Sequence, residues 1–518
     1  MDKIKEEVRL VIAFVLAMVI IMVFGRMQSK GRQNIPQQPK NIEHSTPVTP
    51  ETTESPTLPD LTKTQTEPSL PQSEEVSFDF NDYTLTVSSD GNYLTNIGIN
   101  KYQRKNEQLF YVFENSQFLN DSILKYEGIN NDSLFTKTSD SLILTKSLND
   151  IFITKEISVP SDSHIFKTGI LLENRGPKKV FTYMLQAGII PTKPTAVKGE
   201  REFSPPEILV KTGDKIEKIN PARLKENVFY ENTEWLALKQ RYPLLMLKME
   251  KETKSFIIKE GDYIKFGFLF EDLEIDSLNN KRVDFTFYAG PSDYFVASKE
   301  IEDKLLFGGG FFVVMGRILF TLLSYIHKVI PNWGWAIVFL TLLIKIVFFP
   351  LTKSSLKSMK ALQKLRPYMT EVQKKYKDNP QQMQKEMMNL YKDYKINPLG
   401  GCIPMLLQFP IFIGFFLALR SSIFFRGASF GLWIKDLSVP DSLFQVSGFT
   451  VNVLPLIMAA TSLWQQKLTP QDPSQKTLTF MMPIMFLFLF YNFSSGLLLY
   501  WITMNVASLV EQYFIHKK

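Results

Sequence analysis

The chain has 518 residues, 45% of them hydrophobic and 21% charged, with a formal net charge of +7. That length accommodates a soluble domain and a membrane domain together. The one cysteine, Cys402, excludes an intrachain disulfide, and the four scattered histidines (His44, His164, His327, His516) offer no Cys/His metal-ligand spacing.

Mean hydropathy, −0.05, averages two unlike halves. Long apolar runs occur in one short N-terminal segment and in the C-terminal part of the chain. Residues 10–24 form an unbroken apolar run preceded by Lys3, Lys5 and Arg9. A cleaved secretory signal and an uncleaved anchor both begin this way. A signal asks for a small-x-small site after the run. Gly25-Arg26-Met27-Gln28 stands there instead, so residues 1–27 read as a transmembrane anchor. Residues 28–75 are rich in Pro, Thr, Ser, Gln and Glu. They bury too little apolar surface to offset their ordering entropy and read as a disordered linker.

From 76 to 300 the two-residue period of strands dominates. Tyr83–Val87 alternates, Ser89-Asp90-Gly91-Asn92 is a hairpin turn signal, and Tyr93-Leu94 restarts a strand. Further strand patterns occupy 142–145, 151–157, 164–172, 181–185, 256–258, 263–270 and 283–289. Short strands at near-regular spacing imply a large extracytoplasmic β-sandwich domain. Such folds often bind sugars, and a sugar-processing site asks for paired carboxylates or a His with a carboxylate in a cleft. His164, the one histidine of this region, lies inside a strand pattern and reads as structural.

Residues 301–332 follow. Val314, Ile318, Leu322, Tyr325, Ile326 and Val329 recur at helical spacing, while Arg317, Ser324, His327 and Lys328 interrupt the other face. The alternatives are a spanning helix and an amphipathic helix in the membrane interface. The polar face and Pro331 favour the interface.

Residues 333–518 carry five apolar segments, at 333–349, 403–419, 449–464, 478–493 and 497–515. With the N-terminal anchor they make six predicted spans, so the fold class is a multi-domain membrane protein: an α-helical transmembrane bundle plus the β-sandwich domain. The loop after Phe349 and the tail His516-Lys517-Lys518 are basic. They place both termini in the cytoplasm and the β domain on the far side of the membrane.

Lys345 carries the most information, because an ionisable side chain inside a span normally faces water or a partner. It lies about eleven residues past the Trp333–Trp335 pair, roughly 16 Å deep at helical rise. Snorkelling of the ammonium to the inner interface is one reading. The other is a hydrated groove open to the cytoplasm. No Asp or Glu occurs in the five later segments until Glu511 near the end, so water is the expected partner. Thr341, Gln408, Asn492, Tyr500, Trp501 and Asn505 are candidates for the same groove. Each intramembrane Asn or Gln has the plainer use of bonding one helix to another.

Residues 353–396 hold eleven Lys or Arg against four Asp or Glu. Met359, Leu362, Leu365, Met369, Val372 and Tyr376 form one helical stripe. Asn379 and Pro380 restart a helix whose stripe is Met383, Met387, Leu390 and Tyr394. The spacing predicts a cytoplasmic helical hairpin with exposed Lys357, Lys360, Lys364, Arg366, Lys374, Lys375 and Lys377. Its charge suits anionic lipids or an acidic partner. The methionines are the hairpin seam or an adaptable surface for apolar peptides.

The run Ile396-Asn397-Pro398-Leu399-Gly400-Gly401-Cys402-Ile403-Pro404, continued by Gln408-Phe409-Pro410-Ile411-Phe412, resembles the signature of the YidC membrane-protein insertases. Phe349-Pro350-Leu351-Thr352-Lys353, Lys385-Glu386-Met387-Met388 and Ser495-Gly496-Leu497 are similar to that family in the same order. The resemblance implies a non-enzymatic insertase and chaperone of the inner membrane, working alone or beside the Sec translocon. Its implied partners are nascent membrane proteins and a ribosome or targeting receptor, without cofactor or nucleotide. The family's groove carries a positive charge in its second span, usually arginine. Lys345 keeps the charge and loses the bidentate fork. Gln408 matches the family, and Asn492 stands where the family has an aromatic residue. A transporter of small solutes is the competing class. It asks for inverted repeats and paired midplane acids, and the sequence displays neither.

Overall fold

The structure, a computed structural model, describes residues 75–88, 93–102, 110–113, 118–124, 133–192, 206–302, 304–307, 310–394, 403–446, 449–468 and 476–517. The predicted anchor at 1–27, the linker to residue 74 and most of the 396–404 signature lie outside them. Two units are distinguished. One is Gln72–Pro470 with Pro483–Lys518; the other is Met1–Pro71 with Gln471–Met482, of which only residues from Lys476 onward are described.

Four strands, β1 (Glu75–Asp79), β2 (Tyr83–Ser88), β3 (Leu94–Ile99) and β4 (Phe110–Phe113), form an antiparallel sheet in chain order. Twelve more form a second sheet: β5 (Asn120–Leu124), β6 (Ser133–Lys137), β7 (Ser141–Leu148), β8 (Ile151–Ser158), β9 (Ile165–Asn174), β10 (Lys179–Pro191), β11 (Glu207–Thr212), β12 (Lys215–Ile219), β13 (Val228–Lys239), β14 (Pro243–Glu260), β15 (Tyr263–Ile275) and β16 (Asn280–Pro291). Its main path runs β12-β11-β13-β14-β16-β9-β8-β7-β6. β14, 18 residues long, divides the sheet. Its first part pairs with β16 and its last part, Lys254–Glu260, with β15, which leads on to β10 and β5. Both branches close on one core, with Phe166 and Phe287 from the main path and Tyr183 and Phe268 from the side branch. β8 shows the cause: Ile151, Ile153, Lys155 and Ile157 are buried, and the alternate residues Phe152, Thr154 and Glu156 are half-buried or exposed.

A short turn, α1 (Tyr294–Ala297), is capped by Asp293, whose side chain accepts from Phe295 N at 2.8 Å. Then come α2 (Phe311–Val329), α3 (Trp333–Lys375), α4 (Pro380–Asp393), α5 (Ile403–Ser421), α6 (Val453–Leu468), α7 (Lys476–Phe490) and α8 (Ser495–Lys517), with a two-stranded ribbon, β17 (Phe444–Val446) and β18 (Phe449–Val451), before α6. Among the described residues, 311–329 and 333–362 are long and apolar enough to cross a membrane; 408–421 and 481–490 are shorter apolar helices.

Two boundaries differ from the sequence reading. The segment expected to end at Phe349 continues as one helix to Lys375, with Pro350 and Pro367 inside it. The segment expected from Phe449 is strand until Val451 and helix only from Val453, where Asp441 Oδ2 caps the amides of Val453 (2.8 Å) and Leu454 (3.0 Å). The hairpin start is as expected, with Asn379 accepting from Gln382 N at 3.1 Å and Pro380 in the first turn.

The helices share a second core built on Leu319, Ile337, Phe415, Phe425, Leu497 and Tyr500. α2 meets α5 at backbone distance, since a Cβ added to Gly316 would lie 2.8 Å from the Gly414 carbonyl oxygen. The β domain joins the helices through the segment after α5. Arg241 donates to the carbonyls of Arg420 (3.1 Å) and Ser438 (3.0 Å), and Arg426 donates to that of Tyr102 (3.4 Å).

Candidate functional site

α3, α5 and α8 enclose the site. α8 starts beside the first turns of α3, because a Cβ at Gly496 would lie 3.4 Å from Ile337 Cδ1. From that shared end the two helices run on to Lys345 and Glu511. Lys345 Nζ donates to Glu511 Oε2 at 2.9 Å, and the two side chains keep only 13% and 12% of their exposure. The expectation of a cation without a buried counter-ion is therefore corrected: Lys345 has a carboxylate partner 166 residues away in sequence. Desolvating either charge alone is expensive, and a hydrogen-bonded pair reduces that expense.

Beside the pair lies a cavity of about 40 Å³, lined by Ile344, Lys345, Phe348, Gln408, Ile411 and Met504 among others. A water molecule needs about 10–15 Å³ of such space. The space thus suits a few waters, and a polypeptide segment requires the helices to part. Its polar groups are the Lys345 ammonium, the Gln408 amide and Thr352, whose hydroxyl is already donated to the Phe348 carbonyl at 3.1 Å.

The other predicted groove residues divide by place. Thr341 is fully buried; its hydroxyl donates to the Ile337 carbonyl at 2.7 Å within its own helix, and it does not line the cavity. Tyr500 is fully buried and stacks on Phe415 with centroids 4.6 Å apart. Its hydroxyl faces Gln408 but closes no hydrogen bond among the described residues. Trp501 packs edge-on against Phe412 at 4.9 Å and lies 5.2 Å from the Phe490 ring. Asn505 takes the plainer use of bonding one helix to another: its Nδ2 donates to Thr461 Oγ1 (3.1 Å) and Ser462 Oγ (2.8 Å), joining α8 to α6. Asn492 is exposed in the turn after α7, which ends at Phe490. That turn precedes α8, so by helical rise it lies roughly 24 Å from the level of Glu511. The structure brings Lys345 and Gln408 together, with Tyr500 close by, and sets the rest apart.

In the hairpin, Lys357, Lys364, Arg366, Lys374, Lys375 and Lys377 are exposed, and Lys360 is half-buried. Leu365 is buried, and Met369, Val372, Met383, Met387 and Leu390 are half-buried, so both stripes supply the seam between α3 and α4. Tyr368 and Tyr394 close it with ring centroids 5.7 Å apart.

In the β domain, His164 Nδ1 lies 2.7 Å from Glu300 Oε1, while Ser163 Oγ donates to Glu300 Oε2 at 2.9 Å. Serine and histidine both bind the carboxylate, and the ring stacks on Tyr102. This is a structural histidine cluster that ties the segment leaving the β domain to the start of β9. A cavity of about 650 Å³ lies nearby, walled by Trp235, Tyr288 and the Lys211–Glu234 ion pair of 3.1 Å.

The family described as 60Kd inner membrane protein matches residues 325–518. Similarity extends beyond that segment. The membrane protein insertase YidC of Pelobacter propionicus is 29% identical over an alignment covering 99% of both chains. That of Helicobacter pylori (strain J99) is 33% identical over 77% of this chain and 70% of its own length. That of Endomicrobium trichonymphae is 43% identical over 248 residues, 47% of this chain and 48% of its own. A solved structure, an active YidC insertase with its first transmembrane domain resolved, aligns at 20% identity and a TM-score of 0.39, over 85% of this chain and 92% of that one.

Proposed function

The chain belongs to the YidC family of membrane protein insertases, and we infer from this premise that it inserts and folds newly made proteins in the inner membrane. The observation that carries the mechanism is the charge pair with a neighbouring amide, Lys345, Glu511 and Gln408, beside a small cavity inside a largely apolar bundle. Polar groups at that depth are costly and mark the path of a polar substrate.

A client enters as a hairpin from the cytoplasmic side. Its polar segment crosses along Lys345 and Gln408 as α3, α5 and α8 part, which shortens its passage through hydrocarbon. Its apolar segment leaves sideways into lipid, and burial of that segment drives the process. No covalent step and no nucleotide are required, so the chain acts as a chaperone and not as an enzyme.

The topology assigned with this mechanism has six spans, with α2 lying in the interface and both termini in the cytoplasm. The β-rich domain, a sandwich, stands in the periplasm. Apolar composition of the helices, the basic stretch 353–396 and the basic tail support it. The exposed lysines of the hairpin are the docking surface for anionic lipid and for a ribosome or targeting receptor, with the Sec translocon as a lateral partner.

The test places a photoreactive side chain at Gln408 in the full-length chain, produced in cells depleted of their own insertase. Nascent membrane proteins are expected to crosslink there and their insertion to recover. Recovery without any crosslink from Gln408 would refute the route, and no recovery would refute the function.

A further inference from the structure

The insertase mechanism asks for a cation at Lys345, and the structure supplies that cation already occupied. Glu511 is the single Asp or Glu in α5 to α8. Its neighbours Val510, Tyr513 and Phe514 are exposed apolar side chains, whereas Glu511 turns inward onto Lys345. The adjoining cavity of about 40 Å³ is lined by Lys345 and Gln408, while the ammonium itself is donated to Glu511 at 2.9 Å. An acidic client residue that takes over that hydrogen bond displaces Glu511. That exchange trades one carboxylate for another and leaves the displaced one poorly solvated, so it returns little net attraction. A neutral client leaves the pair in place.

We propose that Glu511 is a specificity-determining residue: a resident carboxylate that holds Lys345 in check and suppresses the preference for acidic clients that a free cation at this position confers. The proposal rests on the insertase reading and deepens it. It assigns the acidic-client threshold to one side chain that touches Lys345 and no other acidic residue of the bundle.

The experiment uses the full-length chain in insertase-depleted cells with two clients. They are identical except that the translocated segment is neutral in one and carries two aspartates in the other. Insertion is read as protease protection, and the acidic-to-neutral ratio is compared among the wild type, Glu511→Gln and the double variant Lys345→Gln/Glu511→Gln. Glu511→Gln keeps the shape and releases the cation. The ratio is expected to rise about fivefold or more, the low end of ordinary coupling between sites, with both clients scored against the amount of variant accumulated. The double variant, lacking the cation, is expected to return the ratio to the wild-type value or below. An unchanged or lower ratio in Glu511→Gln overturns the proposal and leaves Glu511 a plain counter-ion. A rise that persists in the double variant overturns it too, because Lys345 is then not the receptor. If Glu511→Gln does not accumulate, Glu511→Asp decides: its shortened reach loosens the pair without removing charge, and the ratio must rise in the same direction. Failure of the wild type to insert the neutral client defeats the insertase reading itself and is distinct from all of these outcomes.

Discussion

Replacing Gly316 by alanine tests whether α2 is seated on α5 backbone to backbone. The added Cβ lies 2.8 Å from the Gly414 carbonyl oxygen, against an ordinary contact of at least 3.4 Å, so 3.4 − 2.8 gives 0.6 Å of enforced separation. The obstacle is main chain and cannot swing aside. A gap of that size forfeits a quarter to a half of each dispersion contact across it, and the buried contacts at stake include Leu319, Phe320 and Leu323. Overpacking of this kind costs about 1–3 kcal/mol. Alanine in a helix returns about 1 kcal/mol relative to glycine. The net expectation is a loss of about 0–2 kcal/mol for Gly316→Ala, and gross undocking of α2 for Gly316→Leu. Unfolding in mild detergent, followed by tryptophan fluorescence, measures it. Ile318→Ala, at a site 52% exposed on the same helix, is the control. Stabilisation of Gly316→Ala by the full propensity gain would refute the close approach.

Asp441→Ala removes an acceptor of three hydrogen bonds, from Trp433 Nε1 and from the first amides of α6, at a site 6% exposed. A loss of about 2–4 kcal/mol is expected from a cap plus charge-assisted bonds, together with faster amide exchange at Val453 and Leu454. Asn505→Ala severs the α8 to α6 bonds and is expected to cost about 0.6–2 kcal/mol, read by the same unfolding assay. At Glu300 burial pushes the carboxyl up, but hydrogen bonds from the His164 ring and amide and from Ser163 outweigh it and hold the group below its ordinary 4.5. A depressed folded value means the contribution is complete above the ordinary value and is lost as pH falls through the folded one. The wild type should therefore lose stability on acidification below about pH 4.5, and Glu300→Gln should lack that component. Parallel acid profiles for the two would remove the pair from the account.

Much of this architecture was legible because its periods are local. The strand patterns at 142–145, 151–157 and 263–270 fall inside β7, β8 and β15, where every second side chain enters the core. The region from Glu207 to Lys239 was missed. β12 alternates, yet its residues are Lys and Glu outside a shallow interior, so its signal is charge and not hydropathy. The apolar run stops at Phe349, but Pro350 sits on an exposed part of a long helix that neighbouring turns support, and the helix runs through it. The site divided along the same line. Lys345 and Gln408 were readable as polar groups in apolar runs, which needs only their own neighbourhoods. Their relation to Glu511 was not readable. Counted from the contact of Gly496 with Ile337, Lys345 lies about 12 Å along α3 and Glu511 about 22 Å along α8. Level alone does not pair them; helix crossing and two long side chains do.

The β domain bears on the site through α5. A helix leaves its last four carbonyls without partners inside the helix and carries partial negative charge at that end. Arg241 answers one of them directly, donating to the Arg420 carbonyl one residue before the end of α5, and ties the following loop at Ser438. Asp293 meets the same loop. Burial pushes its carboxyl up, and hydrogen bonds from the Phe295 and Ile423 amides act against that push. Gly316 then clamps α5 near its middle. Gln408, on the other half of the helix, is half-buried at the cavity and free of both clamps. Motion that opens the cavity is therefore expected at the Gln408 half of α5 and not at its end beneath the β domain. Because the contacts at that end are made largely to main-chain carbonyls, side-chain variation along α5 leaves the anchorage in place and confines its effects to the cavity half.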